Sequence, residues 1–219
     1  MKLAFLGDSV TEGCFELYYT QTGEVDCIRD YEHCYATVLT NMLKNKYPEK
    51  TFETKNFGIS GHSSNEGVTR IAEVLAWKPD IVIVCYGLND VCHRSKEIYA
   101  DNMRKIFETV TQSNIKGVFM TPNMINTYVH EKTIAKYIGM AHNTSERQNN
   151  GTFDEYINLV KSVALDNNFA VCDVYACWKS FERYGIDTTM LLSNHINHPT
   201  RKMHLLFAEK LFEILKDII

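Results

Sequence analysis

Residues 81–90 read Ile81-Val82-Ile83-Val84-Cys85-Tyr86-Gly87-Leu88-Asn89-Asp90. A continuous β-branched run without polar alternation is the pattern of a strand covered on both faces. Gly87 ends the run, and Asn89 and Asp90 follow just past the strand. Similar apolar runs recur near the start and near the middle of the chain. Leu3-Ala4-Phe5-Leu6 runs into Gly7, and Gly117-Val118-Phe119-Met120 is stopped by Pro122. Thr51 to Phe57 alternates as a strand does, and Phe169 to Val174 reads as another. Between these runs, apolar residues fall at helical spacing. Tyr31 to Lys46 carries Cys34, Tyr35, Val38, Leu39, Met42 and Leu43 on one face, and Asn65 to Trp77 carries Val68, Ile71, Ala72 and Leu75. Lys96 to Gln112, Phe153 to Asn167 and Arg201 to Ile219 are the remaining helical stretches. Strands alternating with helices specify an α/β fold, a parallel sheet between helical layers with right-handed crossovers.

No repeat, low-complexity tract or Pro/Gly/Ser linker divides the sequence, so residues 1–219 read as one domain. Cys14 to Asp30 and Asn123 to Gly151 lack strong periodicity and are expected to be long loops. Both follow strands at the carboxyl edge of the sheet, where open α/β folds bind ligands.

The 219 residues include 23 basic and 27 acidic side chains, for a net charge of −4, and 45% are hydrophobic. This is globular composition. The mild negative charge excludes a nucleic-acid-coating surface, which needs clustered Lys and Arg. No stretch approaches the ~20 apolar residues that span a bilayer. The 7 cysteines are odd in number and form no CxxC pair. They are expected to be reduced thiols in a cytoplasmic protein. Met1 leads directly into the first strand, so no secretory leader is expected.

Four short blocks carry chemistry. Gly7-Asp8-Ser9-Val10-Thr11-Glu12-Gly13 puts a serine just past the first strand, although it is not a G-x-S-x-G elbow. Asn56-Phe57-Gly58-Ile59-Ser60-Gly61 and Tyr86-Gly87-Leu88-Asn89-Asp90 end the next two strands. The Gly58 N–H and the Asn89 amide would be suitable donors to an oxyanion at the edge where Ser9 lies. Asn194-His195-Ile196-Asn197-His198-Pro199-Thr200 enters the last helix, and Pro199 holds His198 in an extended or turn conformation. His195, His198 and His204 raise the question of a metal. Their spacing matches no zinc pattern, and no metal is expected. Asp8 and Asp90 are expected to brace turns. His62, His93, Tyr18, Tyr19 and Phe15 are candidates to line or cover a pocket. Cys14 and Cys92 have no feature that would lower their pKa into nucleophilic range.

Together, in this chain order, Ser9, Gly58, Asn89 and His198 resemble the four blocks of the SGNH (GDSL) hydrolase superfamily, over nearly the whole chain. The resemblance implies a three-layer flavodoxin-like fold with a five-stranded parallel sheet in the order 2-1-3-4-5, and hydrolysis of esters or thioesters. It implies Ser9 as nucleophile, His198 as base, and the Ser9 N–H, Gly58 N–H and Asn89 amide as the oxyanion hole. No cofactor is implied, and the partner is a small-molecule ester.

The sequence departs from the family at one point. Members usually place an Asp three residues before the histidine, and some four before. Here those positions hold His195 and Asn194. The orienting group for His198 is therefore expected to be a main-chain carbonyl or Asn194, then His195, and last Asp187. Polar and aromatic loops favour a small acyl group on a polar carrier, such as an acetylated sugar, over a long-chain lipid. The alternatives are a lysophospholipase- or thioesterase-type hydrolase, or a binding protein that has lost the triad acid.

Overall fold

The computed structural model describes residues 1–219. Strand β1 (Lys2–Gly7) leads into a single turn, α1 (Ser9–Glu12), and then a hairpin of β2 (Cys14–Tyr19) and β3 (Val25–Arg29). The chain continues through α2 (Tyr35–Lys46), β4 (Glu53–Asn56), α3 (Ser64–Ala76), β5 (Ile81–Cys85), α4 (Asp90–His93), α5 (Lys96–Gln112) and β6 (Lys116–Met120). After a 3-10 turn at Ala135–Tyr137 come α6 (Ile138–Asn149), α7 (Thr152–Asp166), β7 (Ala170–Cys172), α8 (Val174–Arg183) and α9 (Arg201–Leu215).

The main sheet has the order β4-β1-β5-β6-β7, with every pairing parallel. Ranked along the chain, its strands lie 2-1-3-4-5, as the resemblance implies. The central strands β1 and β5 are almost wholly buried, and Phe5 faces Ile83 in register. One cluster of 49 buried hydrophobic residues fills the space between sheet and helices. No helix is long and apolar enough to cross a membrane.

The structure departs from the sequence reading in three segments. Cys14 to Asp30 is mostly hairpin, with Tyr18 opposite Asp26 and Tyr19 opposite Val25. Asn123 to Gly151 contains α6. The strand expected to run to Val174 stops at Cys172, and the Asp173 carboxylate accepts the Ala176 N–H to start α8. The hairpin also changes the cysteine reading. Cys14 and Cys27, expected to be reduced, are joined as a disulfide across its strands, with Cα atoms 5.6 Å apart. Cys34, Cys85, Cys92, Cys172 and Cys177 are free.

Candidate active site

The carboxyl ends of β1 and β5, the turn after β4 and the loop before α9 converge on one cavity of about 220 Å³. Ser9, Gly61, Asn89 and His198 all stand on its wall. Larger hollows of about 490 and 510 Å³ lie at the opposite, amino edge of the sheet, around Asn114 and Lys116. Neither these nor the hollows of about 500 Å³ beside Arg201 and about 280 Å³ beside Arg147 are lined by a serine or a histidine, so the smallest cavity is the one with chemistry.

Ser9 is buried as the first residue of α1. Asp8 fixes the turn by accepting the Val10 N–H at 3.0 Å. The Ser9 N–H has no partner in the chain, because an N-terminal helical N–H lacks a carbonyl four residues back. Ser9 Oγ lies 3.0 Å from His198 Nε2, and His198 Nδ1 lies 2.8 Å from the Phe15 carbonyl oxygen. A carbonyl only accepts, so Nδ1 carries the hydrogen. Nε2 is then the free lone pair that accepts from the serine hydroxyl. Burial pushes the His198 pKa down to about 4, against the pull of the Phe15 carbonyl and the Glu12 and Glu16 charges. The imidazole is therefore neutral at pH 7, as a proton acceptor must be.

The group that orients His198 is thus a main-chain carbonyl, and it comes from the hairpin. Neither Asn194 nor His195 hydrogen-bonds the imidazole. Asn194 Oδ1 accepts the N–H groups of Ile196, Asn197 and His198 at 3.0, 2.9 and 2.9 Å, so it shapes the loop that presents the histidine. His195 adopts φ +57, which turns its ring onto His130, with centroids 4.1 Å apart. Asp187 is occupied elsewhere, accepting from Tyr128 Oη at 2.7 Å and from the Thr189 N–H at 3.0 Å.

Gly58 is not placed as the sequence suggests. Its N–H donates to Asn56 Oδ1 at 2.8 Å, and it does not line the cavity. Its role is close approach: a Cβ there would lie 2.3 Å from the Glu12 nitrogen. Gly61, three residues on, does line the cavity. It has φ +81, and its N–H has no partner in the chain. Asn89 donates one amide hydrogen to the His62 carbonyl at 2.7 Å, which leaves the other free at the cavity wall.

The surrounding residues divide by role. Asp90, the first residue of α4, ties it to α3 by accepting from the Ser64 N–H and hydroxyl, and burial raises its pKa to about 6. Asp8, fully buried, is pushed up to about 7 by the same cause. His93 lines the cavity, as do Leu17 from the hairpin and Tyr137 and Met140 from the α6 region. The hairpin meets that region where the Lys136 N–H donates to Tyr19 Oη at 3.0 Å. His195, His198 and His204 do not converge, since His204 instead accepts the Tyr35 N–H at 3.1 Å. No three His, Cys, Asp or Glu side chains gather closely enough to share an ion.

A family model described as the GDSL-like lipase/acylhydrolase family matches residues 5–206. The chain belongs to this family. It is accordingly a carboxylic ester hydrolase. An acetylxylan esterase of Geobacillus stearothermophilus is 28% identical over 189 residues, covering 81% of this chain and 77% of the relative. A crystal structure of an acetyl xylan esterase superposes with a TM-score of 0.73 at 22% identity, covering 98% of this chain and 100% of that one. An α/β hydrolase enzyme from the metagenome of Lake Arreo, Spain, has a TM-score of 0.73 at 20% identity, covering 100% of this chain and 96% of that one. The two structures share the fold of this hydrolase.

Proposed function

We propose that this hydrolase removes acetyl groups from a carbohydrate carrier through an acyl-enzyme on Ser9. The observation that carries the reading is the relay from Ser9 Oγ to His198 Nε2 at 3.0 Å and from His198 Nδ1 to the Phe15 carbonyl at 2.8 Å. Ser9 Oγ attacks the ester carbonyl as its proton passes to Nε2. The imidazolium that forms keeps its Nδ1–H on the Phe15 oxygen. It then protonates the leaving alcohol, and the neutral imidazole activates water for deacylation. The oxyanion meets the N–H groups of Ser9 and Gly61 and the free amide hydrogen of Asn89. Gly61 takes the role that Gly58 cannot fill.

Two features support acetyl over a long acyl chain. The cavity, about 220 Å³, falls below the ~300–1,000 Å³ of sites that take drug-sized ligands. Its wall mixes Ser60, Asn194, Asn197 and His93 with only a few apolar side chains, which suits a hydroxyl-rich carrier. The acetylxylan esterase named above acts in the same sense. The test is acetate release from acetylated xylo-oligosaccharides, alongside p-nitrophenyl esters of increasing chain length, for wild type and Ser9→Ala. A rate that falls steeply beyond the short esters and vanishes in Ser9→Ala is expected. Preference for long-chain esters would overturn the substrate, and full activity in Ser9→Ala would overturn the nucleophile.

A further inference from the structure

The Phe15 carbonyl lies on a two-stranded hairpin outside the main sheet, so something must hold it in register with His198. The contacts of Phe15 and Glu16 converge on one side chain. The Arg201 guanidinium lies 4.4 Å from the Phe15 ring centroid. It donates to both carboxylate oxygens of Glu16, Nη1 at 2.6 Å and Nη2 at 3.2 Å, and its Nε donates to Asp30 at 2.7 Å. Arg201 is the first residue of α9, three positions after His198. His204, one turn further along α9, packs 4.6 Å from the same Phe15 ring. The helix that follows the histidine thus grips the strand that supplies its hydrogen-bond acceptor.

Resting on the reading of Ser9 and His198 as nucleophile and base, we infer that Arg201 is a positioning residue, which fixes the Phe15 carbonyl against His198 Nδ1 and so supplies the orientation that a carboxylate three residues before the histidine would otherwise give. A single exposed ion pair would not suffice for this, since such pairs contribute little. Arg201 instead combines a bidentate fork, a second carboxylate and an aromatic face, and the planar guanidinium is the group that can do all three at once. Glu16 is next to Phe15 in the chain, so fixing its carboxylate constrains the peptide that carries the carbonyl. Asp30 accepts from the same guanidinium, and its own N–H donates to the Gly13 carbonyl at 2.9 Å. That bond closes the base of the hairpin next to Cys14.

The test measures kcat and KM on p-nitrophenyl acetate for Arg201→Ala and Arg201→Lys, together with the proton NMR signal of the His198 Nδ1–H. A small misplacement of a catalytic group costs up to ~10²-fold. Arg201→Ala is expected to lower kcat ~10–100-fold on that basis, with KM little changed and the Nδ1–H signal lost to exchange. Arg201→Lys keeps the charge without the fork, and it should recover only part of the rate. A folded Arg201→Ala with wild-type kcat and an unchanged Nδ1–H signal overturns the inference. Should Arg201→Ala not fold, Glu16→Gln removes the charged fork alone. It is then expected to lower kcat without changing KM, and wild-type kcat with an unchanged signal overturns the inference equally. Ser9→Ala is the separate control: activity there rejects the nucleophile itself, whatever Arg201 does.

Discussion

Asn194→Ala is the substitution for which the structure gives a definite answer. Read as a stand-in for a triad acid, Asn194 would be dispensable once a carbonyl does the orienting. In the structure it is the hub of the loop, accepting N–H groups from Ile196, Asn197 and His198 within 3.0 Å. Alanine leaves all three donors without an acceptor, and those of Ile196 and His198 are buried. A lost hydrogen bond costs ~1 kcal/mol, and an unsatisfied buried group up to ~3. Partial access of water from the cavity favours the lower figures, giving about 2–4 kcal/mol in all. For a chain of this size that lowers Tm by about 5–15 °C. Because one of the freed donors is the His198 N–H itself, the imidazole shifts, and kcat falls on the order of 10²-fold. Asn194→Asp preserves the Oδ1 acceptor and strengthens it with charge, but it loses the donor that Nδ2 offers to Asn197 Oδ1 at 2.9 Å, so it should keep most of the stability rather than all of it. It should not raise kcat, since the Phe15 carbonyl already occupies Nδ1. Thermal melts and steady-state kinetics on one short ester measure both effects. An Asn194→Ala variant with native Tm and kcat would refute this account of the loop, and a faster Asn194→Asp would show that its carboxylate reaches the imidazole.

Ser9→Ala should lower kcat at least ~10³-fold with a nearly native melting curve. Asn89→Ala should lower kcat by ~10²–10³ with little change in KM, because its free hydrogen meets charge that develops in the transition state. Gly58→Ala should unfold the protein or sharply lower its Tm, as its Cβ would lie 2.3 Å from the Glu12 nitrogen and 2.6 Å from the Thr11 carbonyl carbon. Gly61→Ala meets no atom within 4 Å, and its penalty is the left-handed backbone alone, ~1–2 kcal/mol. On the acid side, kcat/KM should persist well below pH 6 and fall as His198 protonates near its pKa of about 4. Stability follows the same groups. His198 and His204, the latter pushed down to about 3, are neutral when folded and take up protons first in the unfolded chain. Their contribution is complete above pH ~6.5 and is lost as pH falls from there toward the folded values. His204→Gln should therefore show a shallower loss of Tm between pH 7 and 5 than wild type.

The sheet was legible because its central strands are covered on both faces, and such strands leave unbroken apolar runs. The hairpin was not. Leu17 and Glu16 are half-buried and Tyr18 and Tyr19 are exposed, so β2 offers no clean alternation. Helix α6 was missed for another reason: its buried face is Ala141, Thr144, Ser145 and Gln148. These residues bury themselves through hydrogen bonds, Thr144 Oγ1 to Asn126 at 2.5 Å and Gln148 Nε2 to Tyr175 at 2.7 Å, and so leave no apolar period. The start of α8 was hidden because Val174 and Tyr175 extend a strand-like run, and only the Asp173 cap turns the chain into a helix. Ser9, Asn89 and His198 could be named from strand ends and loop position, and they meet at one cavity. Between Gly58 and Gly61 the sequence offered no choice of which N–H is free, since that depends on the Asn56 side chain. Arg201 stood in plain view as a helix start, but its convergence with Glu16 and Asp30 exists only once the hairpin is folded.

The third member of the relay, after Ser9 and His198, is an oxygen that every residue type carries. No side-chain replacement at position 15 deletes it, and no search for a carboxylate at a fixed spacing from the histidine can find it. The chemistry at this point is encoded in the path of the chain. Removing the acceptor calls for altering the peptide linkage itself, for example by replacing the amide between Phe15 and Glu16 with an ester, whose carbonyl is a poorer acceptor. In this hydrolase, inserting or deleting a residue in the hairpin therefore bears directly on catalysis, in the way that point mutation of an acid does elsewhere.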